Sequence, residues 1–247
     1  MPDVREFSLA GYGRLLDGFE QRGYAVRDFL DCDPDKAHLI LRHDVDMSLE
    51  AAHRIARLEA DRGLGASYFV LLRTDLYNPL SRANGDLIAA IGDMGHRIRL
   101  HFDASFYDGA PEALEDHIAT ECDILEALCG AAGDIVSFHR PVPALLQNPD
   151  LLAGRRHTYE PAFTEAVGYC SDSRGDWHHG HPFEHTNVRQ KRALQLLTHP
   201  IWWVGEDEPS NETRIHRLLD EKAAVTRRAL AENCEPFRRL LEDGGTK

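Results

Sequence analysis

From residue 38 onward the chain alternates short apolar runs with longer stretches of helical spacing. "HLILRHDVD" (38–46) reads as a strand. "SLEAAHRIARLEADRG" (48–63) reads as an amphipathic helix, with Leu49, Ala52, Ile55, Ala56 and Leu58 toward a core and Gly63 closing it. "ASYFVLL" (66–72), "HRIRLHF" (96–102) and "DIVSFHR" (134–140) are further predicted strands. Between them, "GDLIAAIGDMG" (85–95) and "APEALEDHIATECDILEALCG" (110–130) have helical periodicity. "VGYCSDS" (167–173) and "ALQLLTHPIWW" (193–203) are shorter predicted strands around a histidine-rich loop. A helix is predicted over 8–24, and the tail over 211–243 is helical to Pro236 with a further turn or two beyond.

Strands alternating with helices predict βαβ units and a parallel sheet. Pattern alone does not separate a closed barrel from an open doubly wound sheet, but both place function at the carboxyl ends of the strands. Asp44 and Asp46 end the first strand, His101 the third, His139 and Arg140 the fourth, Asp172 the next and His199 the last. In a parallel sheet these polar groups converge.

Composition narrows the partners. The 247 residues carry 41 acidic and 28 basic side chains, a net charge of −13, which argues against nucleic acid as a partner, since a binder needs a basic face. No apolar stretch approaches the roughly 20 residues that span a bilayer. "MPDVREFSLAGYG" lacks a basic n-region and an apolar h-region, so the expected location is cytoplasmic. The five scattered cysteines then read as reduced thiols. Of the 14 histidines, His178, His179, His181 and His185 crowd into "WHHGHPFEH"; this reads as a solvated or substrate-facing loop rather than a dedicated metal site.

The strand-end residues suit a divalent metal, which commonly takes a carboxylate and imidazoles and leaves a position open. Asp46, His101 and one further group fit, the third being His139, Asp103 or His199. Asp44 is a candidate general base and His199 a candidate acid toward a leaving amine. An arginine beside the base would hold it ionised. His43 is expected to point away from the site by strand alternation, and His96 to lie at the opposite end of the sheet. "IWW" (201–203) reads equally as core or as an aromatic wall for a sugar.

"LRHDVD" (41–46), "GASYFVL" (65–71), "GHRIRLHF" (95–102), "SFHRP" (137–141), "YCSDSRGDW" (169–177) and "LLTHP" (196–200), in this order, resemble the polysaccharide deacetylase (NodB-homology, carbohydrate esterase family 4) superfamily. The likeness is to a divergent branch whose first motif reads R-H-D-V-D rather than T-F-D-D-G. It implies a distorted (β/α) barrel with a core of about 38–204 followed by a helical tail over 205–247, and with no internal repeat or low-complexity linker the chain reads as a single domain. It further implies metal-dependent removal of acetyl groups from N-acetylated sugars. Asp46 and His101 match metal ligands, His199 the general acid, and Arg140 the arginine supporting the base. Asp172, Trp177 and Trp202 are the expected substrate-binding residues.

Two departures stand out. The family's adjacent aspartates are split by Val45, so the base role falls to Asp44 by a shift of one residue. Where the family has its second metal histidine this chain has Ser105, which makes His139 the candidate replacement and Asp103 the next. The expected activity is therefore that of an amide hydrolase using one divalent ion, zinc by default, with iron, cobalt, manganese and nickel as alternatives. The expected partner is a sugar or other small molecule. Hydrolysis of a formyl, carbamoyl or cyclic amide, and a non-catalytic carbohydrate-binding descendant, are the competing readings.

Overall fold

Leu39, Ile40 and Leu41 are consecutive and all buried, which a strand at the centre of a parallel sheet requires. The computed structural model describes residues 7–107, 111–130, 133–141, 143–146, 148–178, 180–205 and 210–242. The strands are β1 (Ala25–Val26), β2 (His38–Val45), β3 (Ser67–Leu71), β4 (Arg97–Asp103), β5 (Ile135–His139), β6 (Arg156–His157), β7 (Gly168–Ser171) and β8 (Leu194–Thr198). Their order is β6-β5-β4-β3-β2-β8-β7, with β1 beside the start of β2, and every pairing between them is parallel. Helices α1 (Leu9–Gln21), α2 (Leu49–Ala60), α3 (Arg82–Asp93), α4 (Pro111–Cys129) and α5 (Thr186–Arg189) belong to the same compact unit, Met1–Asp207. A second unit, Glu208–Lys247, holds α6 (Asn211–Asn233) and α7 (Glu235–Glu242).

The sheet is curled. β2 and β5 are separated by two strands, roughly 14 Å along a flat sheet, yet Arg42 Nη2 donates to Ser137 Oγ at 2.5 Å. The result is an open half-barrel with β6 and β7 at its edges. Alternation along each strand sorts residues by depth. Phe29, Ile40, Phe69, Ile135, Phe163 and Ala193 form an apolar floor. Arg42, Ser137 and Gln195 form a polar layer above it. Asp44, His101 and His139 stand at the mouth.

The alternating pattern predicts the long elements within a few residues, and the differences have local causes. The last strand stops at Thr198 instead of running to Trp203, because Pro200 has no N–H for the ladder and opens a 3-10 turn, Pro200–Trp202. The tail helix ends at Asn233, and Pro236 sits in the first turn of α7, where a missing N–H is tolerated. β1, β6 and a turn of π-helix at Ala162–Ala166 are too short to register as periodicity. On α2, Leu58 is only half-buried and Glu59 is fully buried. Ala52, Ile55, Ala56 and Glu59 follow the i, i+3, i+4, i+7 stripe, so the helix geometry selects 59 over 58.

His96 lies at the amino end of β4, as expected, and is held neutral. Its Nδ1 accepts from the Ala66 N–H (3.2 Å) and its Nε2–H donates to the Ala56 carbonyl (2.9 Å). Burial lowers its pKa from the ordinary 6.5, against the pull of Glu59. A depressed histidine stabilises the fold fully above its unfolded pKa, and that contribution is lost as pH falls toward the folded value. Denaturant unfolding at pH 7.5 and 5.5 is expected to show lower stability at the acid pH, with a smaller fall in His96→Gln. An equal fall in both proteins would remove His96 from the acid sensitivity.

Candidate functional site

The carboxyl ends of β2, β4, β5 and β8 open onto a cavity of about 410 Å³ whose wall includes Asp44, Asp46, His101, His139, His199 and Trp202. Ser48 caps α2 by accepting from the Ala51 N–H, and this turn directly after β2 carries Asp46 over the mouth. Asp46 Oδ1 lies 3.2 Å from His101 Nε2 and 3.4 Å from His139 Nδ1. That oxygen is buried and makes no aligned hydrogen bond among the described residues. The three groups thus present their ligand atoms to one small region.

Their spacing fits an ion. One ligand atom from each of Asp46, His101 and His139 lies within 4.8 Å of the others. Tetrahedral ligands about 2.05 Å from zinc stand about 3.3 Å apart, close to the two separations observed. Burial alone would raise the Asp46 pKa, but the facing imidazoles of His101 and His139 bring it below the carboxylate range, so the ligand oxygen is charged. Asp103, the other candidate, is otherwise engaged: its Oδ1 accepts from the Ser105 N–H (2.9 Å) and hydroxyl (2.6 Å), and its Oδ2 binds Arg140. Ser105 thus occupies the neighbouring carboxylate, and β5 supplies the second imidazole.

Asp44 is buried beside this cluster, its Oδ2 3.6 Å from His101 Nε2. Its arginine is not the expected one. Arg42 grips it through Nε–Oδ1 (2.9 Å) and Nη2–Oδ2 (2.7 Å), while the exposed Arg140 turns to Asp103. The two orientations follow from the backbone. Arg42 and Asp44 are two residues apart on one face of β2, whereas Arg140 adopts φ 50° just past β5, a left-handed conformation. Burial raises the Asp44 pKa, and Arg42 more than offsets it, so the carboxylate stays ionised.

His199 faces the cluster from the far side, its Nε2 3.8 Å from Asp46 Oδ2. Its Nδ1–H donates to Asp172 Oδ1 at 2.7 Å, and its backbone N–H donates to both Asp172 oxygens at 3.0 Å. Trp203 Nε1–H completes the shell of that carboxylate at 2.6 Å. Asp172, expected at the substrate, is fully buried, holds His199 and is not part of the cavity wall. Trp177, the second residue expected at the substrate, is also off the cavity wall. It packs 5.6 Å from Phe7 and 5.9 Å from Trp203, away from the cavity wall. The pair in "IWW" divides, with Trp202 on the wall and Trp203 in the core.

No family model matches the chain, and no curated protein matches it. Solved structures do. The chain is similar to a family 4 carbohydrate esterase from Bacillus anthracis (TM-score 0.46, 15% identity, 85% of this chain and 86% of the other). It is similar to a peptidoglycan deacetylase from Bacillus subtilis (TM-score 0.44, 13% identity, covering 82% and 99%). A CE4 family pseudoenzyme from Bacillus anthracis also matches (TM-score 0.40, 13% identity, covering 76% and 63%).

The histidine-rich loop contributes caps to its own turns. His181 Nδ1 accepts from the Phe183 N–H and His185 Nδ1 from the Asn187 N–H, both at 3.2 Å. His179 lies outside the described residues. His43 points to the back of the sheet, onto Glu59 and Thr198. Sequence reasoning missed the role of Arg42, although its signal was present: an arginine two residues before an aspartate on one strand shares that residue's face.

Metal content by mass spectrometry, after identical loading and washing, is expected to give about one ion per chain in the wild type. His139→Ala should lose it and Asp103→Ala should keep it; the reverse pattern would move the third ligand to Asp103. Arg42→Ala leaves a buried carboxylate unpaired and is expected to cost about 3–5 kcal/mol in chemical unfolding.

Proposed function

We propose that the chain is a metal-dependent hydrolase of C–N bonds that deacetylates an N-acetylated sugar, nucleotide sugar or small glycoside. The observation that carries this reading is a three-ligand cluster flanked by a carboxylate held ionised and an imidazole held protonated. Asp46, His101 and His139 would hold the ion, with zinc the default for an imidazole-rich set. When bound, such an ion supplies Lewis-acid polarisation of an acyl carbonyl and acidification of a water.

The chain's own residues supply the proton transfers. Asp44, ionised by Arg42, takes the proton of the attacking water at Oδ2, the oxygen nearer His101. Burial alone would lower the His199 pKa, but Asp172, Asp46 and Asp44 raise it to about 9, so the ring is cationic at neutral pH. With Nδ1–H committed to Asp172, Nε2–H is the proton directed at the cavity, available to the departing amine nitrogen. Cleavage of the amide C–N bond then yields a free carboxylic acid and an amine. Trp202 provides an apolar wall on which a sugar face can rest. A cavity of about 410 Å³ falls within the size range of small-ligand sites, and the net charge of −13 argues against nucleic acid.

The motif order that resembles the polysaccharide deacetylases supports acetyl as the acyl group. The zinc-loaded protein is to be assayed on acetyl, formyl and carbamoyl derivatives of the same amino sugars. Acetate release is expected to lead the panel. Asp46→Ala should abolish turnover together with bound metal. Asp44→Asn and His199→Gln should each lower kcat by about 10²–10⁴-fold with the metal retained. Full activity in Asp46→Ala would overturn the mechanism, and faster formate release would transfer the site to another amide.

A further inference from the structure

Behind the site, on the opposite face of β2, α2 buries a carboxylate that never reaches the cavity. Glu59 is fully buried, and three donors converge on it. Tyr12 O–H donates to Oε1 at 2.6 Å, Tyr68 O–H to Oε2 at 2.6 Å, and His43 Nε2 stands 2.8 Å from Oε1. An ionised carboxylate can only accept, which fixes the proton of His43 on Nε2. Its Nδ1 lies 2.7 Å from the Thr198 hydroxyl, which can either donate or accept there.

Two arms lead from Glu59 to one residue. The first runs through His43 to Thr198, which precedes His199 in the chain and pairs with His43 across β2 and β8. The second runs through Tyr12, whose ring packs edge-on against Trp203 at 5.3 Å, and Trp203 donates its indole N–H to Asp172. Asp172 in turn holds the His199 ring and backbone. The back layer thus reaches His199 both through its own strand and through its carboxylate partner. The arginine and ligand side of the cavity is not involved in either arm.

We propose that Glu59 is a positioning residue for His199, setting the His43 tautomer and the placement of Trp203 so that the His199–Asp172 pair is held at the cavity mouth. The assignment rests on the proposed function for its catalytic meaning, while its geometric content stands apart from turnover. Glu59→Gln is the direct probe, because an amide replaces one of the two acceptor oxygens with an N–H donor, which then faces either Tyr68 or the Tyr12 and His43 pair. Thr198→Val severs the first arm alone and Tyr12→Phe weakens the second.

The test is the low-field proton resonance of the His199 Nδ1–H bonded to Asp172, read on the zinc-loaded protein and assigned by its loss in His199→Gln. In Glu59→Gln the resonance is expected to shift or broaden while metal content stays at the wild-type level. On the best substrate of the acyl panel, kcat should fall by about 10–100-fold with little change in KM. Thr198→Val should shift the resonance less. An unmoved resonance in folded Glu59→Gln overturns the proposal even if the wild type is an active deacetylase. A moved resonance in a protein that turns over no amide sustains the positioning and overturns the function. Should Glu59→Gln fail to fold, Thr198→Val and Tyr12→Phe decide the matter, and an unmoved resonance in both overturns it.

Discussion

A buried guanidinium must be fully hydrogen-bonded, and in this protein that requirement organises the interior. Arg42 has no exposed surface, and its partners come from three strands: Asp44 on its own, Ser137 on β5 and Gln195 on β8. The rings of Phe69 and Tyr159 lie 5.5 Å from its charge. Removing a cation from water is tolerable only with such partners, and only a curled sheet brings them within reach. The curl that satisfies Arg42 is the same curl that gathers the strand ends into one cavity.

The layers above and below follow from that arrangement. Below Arg42 the half-barrel is filled with aromatic and branched side chains, and Gln195 bridges the layers by donating to the Phe163 carbonyl at 2.9 Å. Above it, each polar group is secured on one side and open on the other. Asp44 is anchored by Arg42, and His199 by Asp172. Such anchoring satisfies each buried charge from within the protein, which a low-dielectric interior requires.

Ser105 shows how the site tolerates departure from the family pattern it resembles. A serine at that place frees no ligand position for solvent; it binds Asp103, which also receives Arg140. His139 on β5 is in register with Asp103 and faces the same mouth, with its Nδ1 3.4 Å from Asp46 Oδ1. Parallel register makes this approach geometrically cheap, since neighbouring strand ends lie roughly 5 Å apart.

Much of this was legible in the residues. Apolar runs such as Leu39–Leu41 announced central strands, and their alternation with helices announced a parallel sheet, because burial imposes distinct periods on the two elements. The convergence of Asp44, Asp46, His101, His139 and His199 followed from that topology alone. What periodicity could not carry was partner choice. That Arg42 and not Arg140 holds Asp44, that Asp172 is bonded to His199, and that Glu59 lies inside while Leu58 does not all depend on side chains meeting across strands and helices far apart in the chain. Local pattern records which face a residue occupies, whereas hydrogen-bond partners are set by the curl of the sheet, which belongs to the packed whole.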